Sequence, residues 1–156
     1  MVHSLETGPT SIRGMAALSF IHLCTTDGPI ATPKVVGRGP GLIQESYPVT
    51  ATVSGKRLSG NLRGICHYDW MSGPPGIGKV QVIATLETGD GALIRVEYGG
   101  RADITHGIEN ARGFASPVFA ATDLQYLWLN VTQVVARGTI EGDQIHWDWY
   151  QIVEKA

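Results

Sequence analysis

Apolar and polar residues alternate with a period of two along most of this chain. The clearest run is Lys79–Thr88, KVQVIATLET. Val80, Val82, Ala84 and Leu86 fall on one face, with Lys79, Gln81, Thr85 and Glu87 on the other. Gly89-Asp90-Gly91 follows as a hairpin signal, and Ala92–Tyr98 returns as the partner strand. Further β-favouring runs are Met15–Thr26, Pro48–Ser54, Arg57–Trp70, Phe114–Ala121, Tyr126–Arg137 and Gln144–Val153. Pro117 puts the 114–121 run at an edge or a bulge, because proline offers no N–H to a ladder. Gly99–Gly113 reads as a polar connection with one short helical turn. The pattern predicts about eight strands linked mostly by hairpins, and no long helix.

Strands of this kind make an all-β domain. A single antiparallel β-barrel is expected over a sandwich, because a long strand such as 126–137 suits a closed, tilted sheet without free edges. Residues 1–14 are polar and are expected to form a flexible N-terminus ahead of one barrel domain over 15–156. Asp27–Pro48 is rich in proline and glycine, with GRGPG at Gly37–Gly41. It reads as a long loop, a candidate lid over a pocket.

Face parity adds a further expectation. On 144–153, Ile145, Trp147 and Trp149 share one face, and His146, Asp148 and Tyr150 the other. On 126–137, Tyr126, Trp128, Asn130 and Thr132 oppose Leu127, Leu129, Val131 and Val135. Neither strand has a purely polar face. This predicts an aromatic, partly polar lumen and an outer wall covered by another subunit, hence a homo-oligomer, dimer or higher.

Composition narrows the classes. The 156 residues are 43% hydrophobic and 17% charged, which describes one folded domain with a sizeable core. The net charge of −2 leaves no basic surplus for phosphates and argues against nucleic acid. No apolar run approaches the roughly 20 residues of a membrane span, and the first residues lack a secretory pattern. A cytoplasmic location without a membrane partner is expected. In that setting Cys24 and Cys66 are expected as buried thiols rather than as a disulfide.

One familiar motif does not survive its context. Gly73–Val80, GPPGIGKV, matches the letters G-x-x-x-x-G-K of a phosphate-binding loop. That chemistry needs a helix start facing the phosphates and a Ser or Thr after the lysine. Val80 stands there instead, and a strand pattern follows. The five histidines show no short metal-ligand spacing, so neither a metal nor a cofactor is expected.

The chemistry concentrates at the end of Arg57–Trp70, where His67, Tyr68, Asp69 and Trp70 stand side by side. Asp69 at the mouth of an apolar barrel would have its charged form disfavoured and act as a proton shuttle. Its alternative is a turn cap ahead of the following loop. His67 can serve as acid or base, oriented by Asp69, or stand as a surface histidine on the rim. Strict alternation puts His67 and Asp69 on one face, Tyr68 and Trp70 on the other. Asn130 would donate to a carbonyl or enolate oxygen, with Trp128 stacking on a flat substrate; the alternative makes them structural. Tyr98 and His146 complete the candidate substrate contacts.

Three stretches carry a family resemblance: Arg57–Trp70, Leu86–Gly100 and Phe119–Gly138, with Asp69-Trp70, the Asp90–Ile94 turn and strand, and Tyr126–Asn130 as the most specific pieces. Together they resemble the uncharacterised family known as domain of unknown function 3237, over about two thirds of the chain from Val49 onward. The resemblance implies a small antiparallel barrel, often an oligomer, of the general shape of a lipocalin or allene oxide cyclase, with no established common reaction. The chain departs from the family pattern at Cys66-His67-Tyr68, at Ala120 and in the 27–48 segment. The expected function is a cofactor-independent enzyme of isomerase, cyclase or lyase type. It would act by proton transfer beside a carbonyl on a largely apolar oxygenated metabolite. The alternative is a non-catalytic barrel that binds a small ligand.

Overall fold

The computed structural model describes residues 17–155, so the stretch 1–14 expected to be flexible lies outside the described residues, as do Met15 and Ala16. Ten strands follow in chain order: β1 (Leu18–Pro29), β2 (Lys34–Gly39), β3 (Leu42–Ser54), β4 (Gly60–Met71), β5 (Ile77–Thr88), β6 (Leu93–Asp103), β7 (Arg112–Ala115), β8 (Val118–Ala120), β9 (Val134–Glu141) and β10 (Gln144–Glu154). A 3-10 turn covers Ile108–Asn110 and a 3-10 helix covers Leu124–Val131.

The neighbours run β1-β10-β9-β7-β6-β5-β4-β3, and β3 pairs back to β1, so eight antiparallel strands close a barrel. Beyond this ring, β2 extends β3 as a hairpin and β8 pairs with β6. Along β5 the side chains alternate strictly, with Val80, Val82, Ala84 and Leu86 buried and Lys79, Gln81, Thr85 and Glu87 exposed. This is the physical content of the period-two pattern: the apolar face fills the barrel and the polar face meets water. Gly91 and Gly142 close the β5–β6 and β9–β10 hairpins at φ of 87° and 63°, a left-handed conformation that glycine adopts without strain.

One end of the barrel is packed solid. Leu58, Leu62, Leu86, Ile94, Leu129, Val134 and Trp149 are all fully buried there. Each such aliphatic side chain stabilises the fold by about 1.5–3 kcal/mol relative to an exposed one. No helix among the described residues is long and apolar enough to cross a membrane.

Two expectations need correction. The first concerns Asp27–Pro48, read as a long loop. It is mostly the β2–β3 hairpin, turned at Pro40-Gly41, and β3 begins at Leu42 rather than at Pro48. Proline and glycine here mark the tip and its irregular pairing, including a register shift between Val35 and Gly37, not the absence of strands. The second concerns Tyr126–Arg137, read as one strand. Its first half is the 3-10 helix. The Asp123 carboxylate accepts from the Gln125 N–H at 3.0 Å, and the Thr132 hydroxyl donates to the Trp128 carbonyl at 2.7 Å. These caps satisfy backbone groups that a ladder would otherwise have to pair. The apolar run then serves as a plug, with Leu129 fully buried while Leu124 and Val131 stay exposed.

Candidate functional site

The other end of the lumen holds a cavity of about 70 Å³. That is room for a few water-sized bodies before any side chain moves. It lies toward the end that carries the β9–β10 turn and the β6–β7 connection, since Gly28, Pro29, Ala111, Ile140 and Ile145 border it. Its chemistry comes from Tyr47 on β3, Cys66 and Tyr68 on β4, Tyr98 on β6 and Trp147 on β10.

Strand register explains the convergence. Tyr47 sits opposite Cys66, and Cys66 opposite Val82, which itself faces Tyr98. Four adjacent strands thus turn one row of side chains into the same space. Tyr98 packs edge-on against Trp147 and Trp149, at ring-centroid distances of 6.0 and 5.6 Å. Gly78 leaves room for the Tyr68 hydroxyl, which a side chain at position 78 would strike.

The cavity wall is polar only in a neutral way. Burial pushes the Tyr68 hydroxyl up to about 12, with the neighbouring Cys66 and Glu45 adding to the effect. Burial likewise raises Tyr47 and Tyr98, and the Cys66 thiol as well. All four therefore stay protonated in ordinary buffers and act as donors, not as bases. Among the described residues the Tyr68 hydroxyl is buried without a hydrogen-bond partner, as are the indole N–H groups of Trp70 and Trp149. An unpaired buried donor costs stability, so a phenol without a partner beside a cavity is a donor open to a ligand.

The expected site residues divide between two faces and two ends. Tyr68, Trp70 and Tyr98 point inward, and Tyr68 and Tyr98 line the cavity. His67 and Asp69 carry the opposite parity and stand on the outer face of β4, Asp69 opposite Lys79 in register. The placement of Asp69 at the lumen mouth is thus corrected: alternation cannot turn Tyr68 and Asp69 inward together. His146 is also outward, with Nδ1 2.6 Å from Asp27 Oδ1 and Nε2 3.1 Å from Asp148 Oδ2.

Asn130 and Trp128 belong to the 3-10 helix at the packed end, away from the cavity. The Asn130 amide accepts from the Ala121 N–H at 2.7 Å and donates to the Ala121 carbonyl at 2.8 Å, so both of its polar ends are engaged. The Trp128 N–H donates to the Gln125 carbonyl, and the Arg57 guanidinium lies 3.7 Å from the Trp128 ring centroid. Their assignment to a lumen site fails with the strand that carried it.

Sequence reasoning missed Tyr47, Cys66 and Trp147 as a set. Tyr47 fell inside the supposed loop, and Cys66 was treated only as a thiol. The signal was present in the shared inward parity of Cys66 and Tyr68, but the register that adds Tyr47 and Tyr98 is not local. Cys24 and Cys66 are free and buried, as expected of them. Among the described residues no group of three or more His, Cys, Asp or Glu is placed to hold a metal ion.

Solved structures share this architecture. A protein of unknown function from Clostridium acetobutylicum ATCC 824 superposes with a TM-score of 0.76 at 15% identity, covering 88% of this chain and 100% of that one. A β-barrel-like protein from Acinetobacter baumannii AYE gives 0.75 at 20% identity, covering 90% and 99%. An enzyme from Penicillium herquei gives 0.63 at 18% identity, covering 88% and 95%. At these identities the likeness is one of fold. No curated protein matches the sequence. The family model described as "Protein of unknown function (DUF3237)" matches residues 18–152, which takes in β1 to β3 as well as the part from Val49 onward, and the chain belongs to that family.

Proposed function

We propose that the lumen holds a small, neutral, largely apolar molecule bearing an acceptor oxygen, and that the barrel acts on it without a cofactor, as an isomerase, cyclase or lyase. The observation that carries this reading is the buried, unpartnered Tyr68 hydroxyl beside an apolar aromatic cavity. A phenol held protonated there donates to a carbonyl or ether oxygen and stabilises negative charge as it develops. Tyr47 and Tyr98 add polar groups to the same wall, and Trp147 offers a flat face for stacking. This replaces Asp69 by Tyr68 as the proton-handling group. It favours reactions in which the substrate brings its own nucleophile and any proton moves within the substrate itself, because the inward groups donate and none serves as a base.

The same neutrality supports a second reading, a carrier barrel that binds the molecule unchanged. The Penicillium herquei relative in fold is described as an enzyme, and that description applies to that protein. The outer wall also fits assembly with a second copy. Ile65 and Ile83 are register neighbours on β4 and β5 and are each 53% exposed.

The test is organic extraction of the protein purified from its own host, followed by mass spectrometry. Two compounds of equal mass, interconverted by native protein and not by Tyr68→Phe, support isomerisation or cyclisation. One unchanged compound at one per chain supports the carrier. An extract with no bound compound sinks both.

A further inference from the structure

The seam between β1 and β3 is the shortest ladder of the ring. β1 and β3 close the ring through three register pairs only, Thr25–Asp27 against Thr52–Ser54. β7 is held to β6 and to β9 by four pairs each, and the other ladders of the ring run longer, with β3 and β4 in register over Leu42–Val53 and Gly60–Met71. Toward the other end of β3, β2 takes over as its neighbour, beginning with Lys34 opposite Ser46. Among the described residues, 47–51 of β3 therefore have a strand partner on the β4 side alone.

Across this gap runs the chain from Gly28 toward β2. Gly28 approaches Thr50 and Ala51 so closely that a side chain at position 28 would collide with their backbone. The cavity reaches Pro29, Thr50 and Ala51 from inside, and a surface groove reaches the same three residues from outside. A single layer of backbone, packed but not laddered, separates lumen from solvent here. Local opening is least costly where the fewest ladder bonds must break.

The end of β1 beside the gap is tied to β10, its neighbour on the side away from β3. Asp27 is the last β1 residue in register with β3, and it meets His146 Nδ1 at 2.6 Å. The other ring nitrogen meets Asp148 at 3.1 Å. The Thr25 hydroxyl donates to Asp148 at 2.8 Å, and His22 Nε2 lies 3.4 Å from the same carboxylate. On β9, Arg137 stands opposite Asp148 in register and Thr139 opposite His146. An imidazolium has two N–H donors and satisfies both carboxylates; a neutral ring has only one.

We infer that the gap between β1 and β3 is the portal through which a small molecule reaches the lumen, and that the Asp27–His146–Asp148 clasp keeps it shut by anchoring the end of β1 to β10. Its biological meaning rests on the proposed lumen site, but its test reads passage into the cavity whether or not a natural ligand exists. Cys66 lines the cavity and reports access, while Cys24, fully buried outside that lining, reports opening of the whole barrel.

The experiment is alkylation by iodoacetamide, with both cysteines followed by peptide mass spectrometry at one fixed pH. In Asp27→Cys/Thr52→Cys, a disulfide bars the portal when oxidised and leaves it unclasped when reduced. Cys66 is expected to react about tenfold faster or more in the reduced form, with Cys24 unchanged. In His146→Gln, with the rest of the chain native, Cys66 is expected to react about three- to fivefold faster than in the native protein. Equal Cys66 rates in oxidised and reduced forms would overturn the portal and place entry at the open end of the barrel. A joint rise of Cys24 and Cys66 would overturn it in favour of global opening. A native rate in His146→Gln would remove the clasp.

Discussion

Replacing Tyr68 by Phe deletes one oxygen atom from the wall of the cavity. That atom is buried, lies beside Gly78 and has no hydrogen-bond partner among the described residues. In the native fold its desolvation costs about 1–3 kcal/mol. Phenylalanine keeps the ring and its contacts, and the vacated oxygen-sized space costs only about 0.2 kcal/mol at the usual penalty per unit of cavity volume. The net expectation is a variant more stable by about 1 kcal/mol. For a domain of this size that raises the melting temperature by about 2–4 °C. Urea unfolding followed by tryptophan fluorescence measures it, with an unchanged denaturant slope showing that the two states are otherwise alike. The lumen compound should bind about tenfold more weakly, the loss of one hydrogen bond. A Tyr68→Phe variant less stable than native by about 1 kcal/mol would refute the reasoning. The hydroxyl would then have a partner in the empty protein, such as a held water, and would not be a donor waiting for a ligand.

Asn130→Ala should lose about 1–3 kcal/mol in urea unfolding, because both amide bonds to Ala121 vanish. Unchanged stability with impaired turnover would return Asn130 to the site. The Asp27 carboxylate beside His146, aided by Asp148 and opposed by partial burial, holds that imidazole above its ordinary value. The clasp therefore contributes fully below the unfolded histidine value and is lost as pH rises through the raised one. An NMR titration should show the His146 midpoint falling in Asp27→Asn; an unmoved midpoint contradicts the assignment. Ile83→Lys should dissociate the assembly expected of the exposed Ile65–Ile83 wall, read by sedimentation velocity. A native protein that already sediments as a 16.7 kDa monomer removes that surface from consideration.

The period-two pattern alone determined the class of fold. Lys79–Thr88 shows why, since its inward residues are named by parity without any knowledge of neighbours. The same parity already separated Tyr68 and Trp70 from His67 and Asp69. A carboxylate next to an aromatic pair looks like chemistry, yet alternation sets Asp69 on the face opposite Tyr68 and Trp70, and the structure makes that face the outer one. The period-two pattern could not determine which runs become strands where side-chain caps to nearby backbone compete. Tyr126–Val131 is β-favouring in letters, but Asp123, Asn130 and Thr132 tie it into a 3-10 plug through bonds to Gln125, Ala121 and Trp128. Proline and glycine hid the β2–β3 hairpin, because residues that break strands also shape hairpin tips and bulges. Register between strands was decided only by the closed barrel, and register makes the site. Tyr47, Cys66, Tyr68, Tyr98 and Trp147 are scattered over a hundred residues of chain, and no local pattern links them. They meet because neighbouring strands pair at one offset and close into a ring, which fixes which inward residues share a level of the lumen.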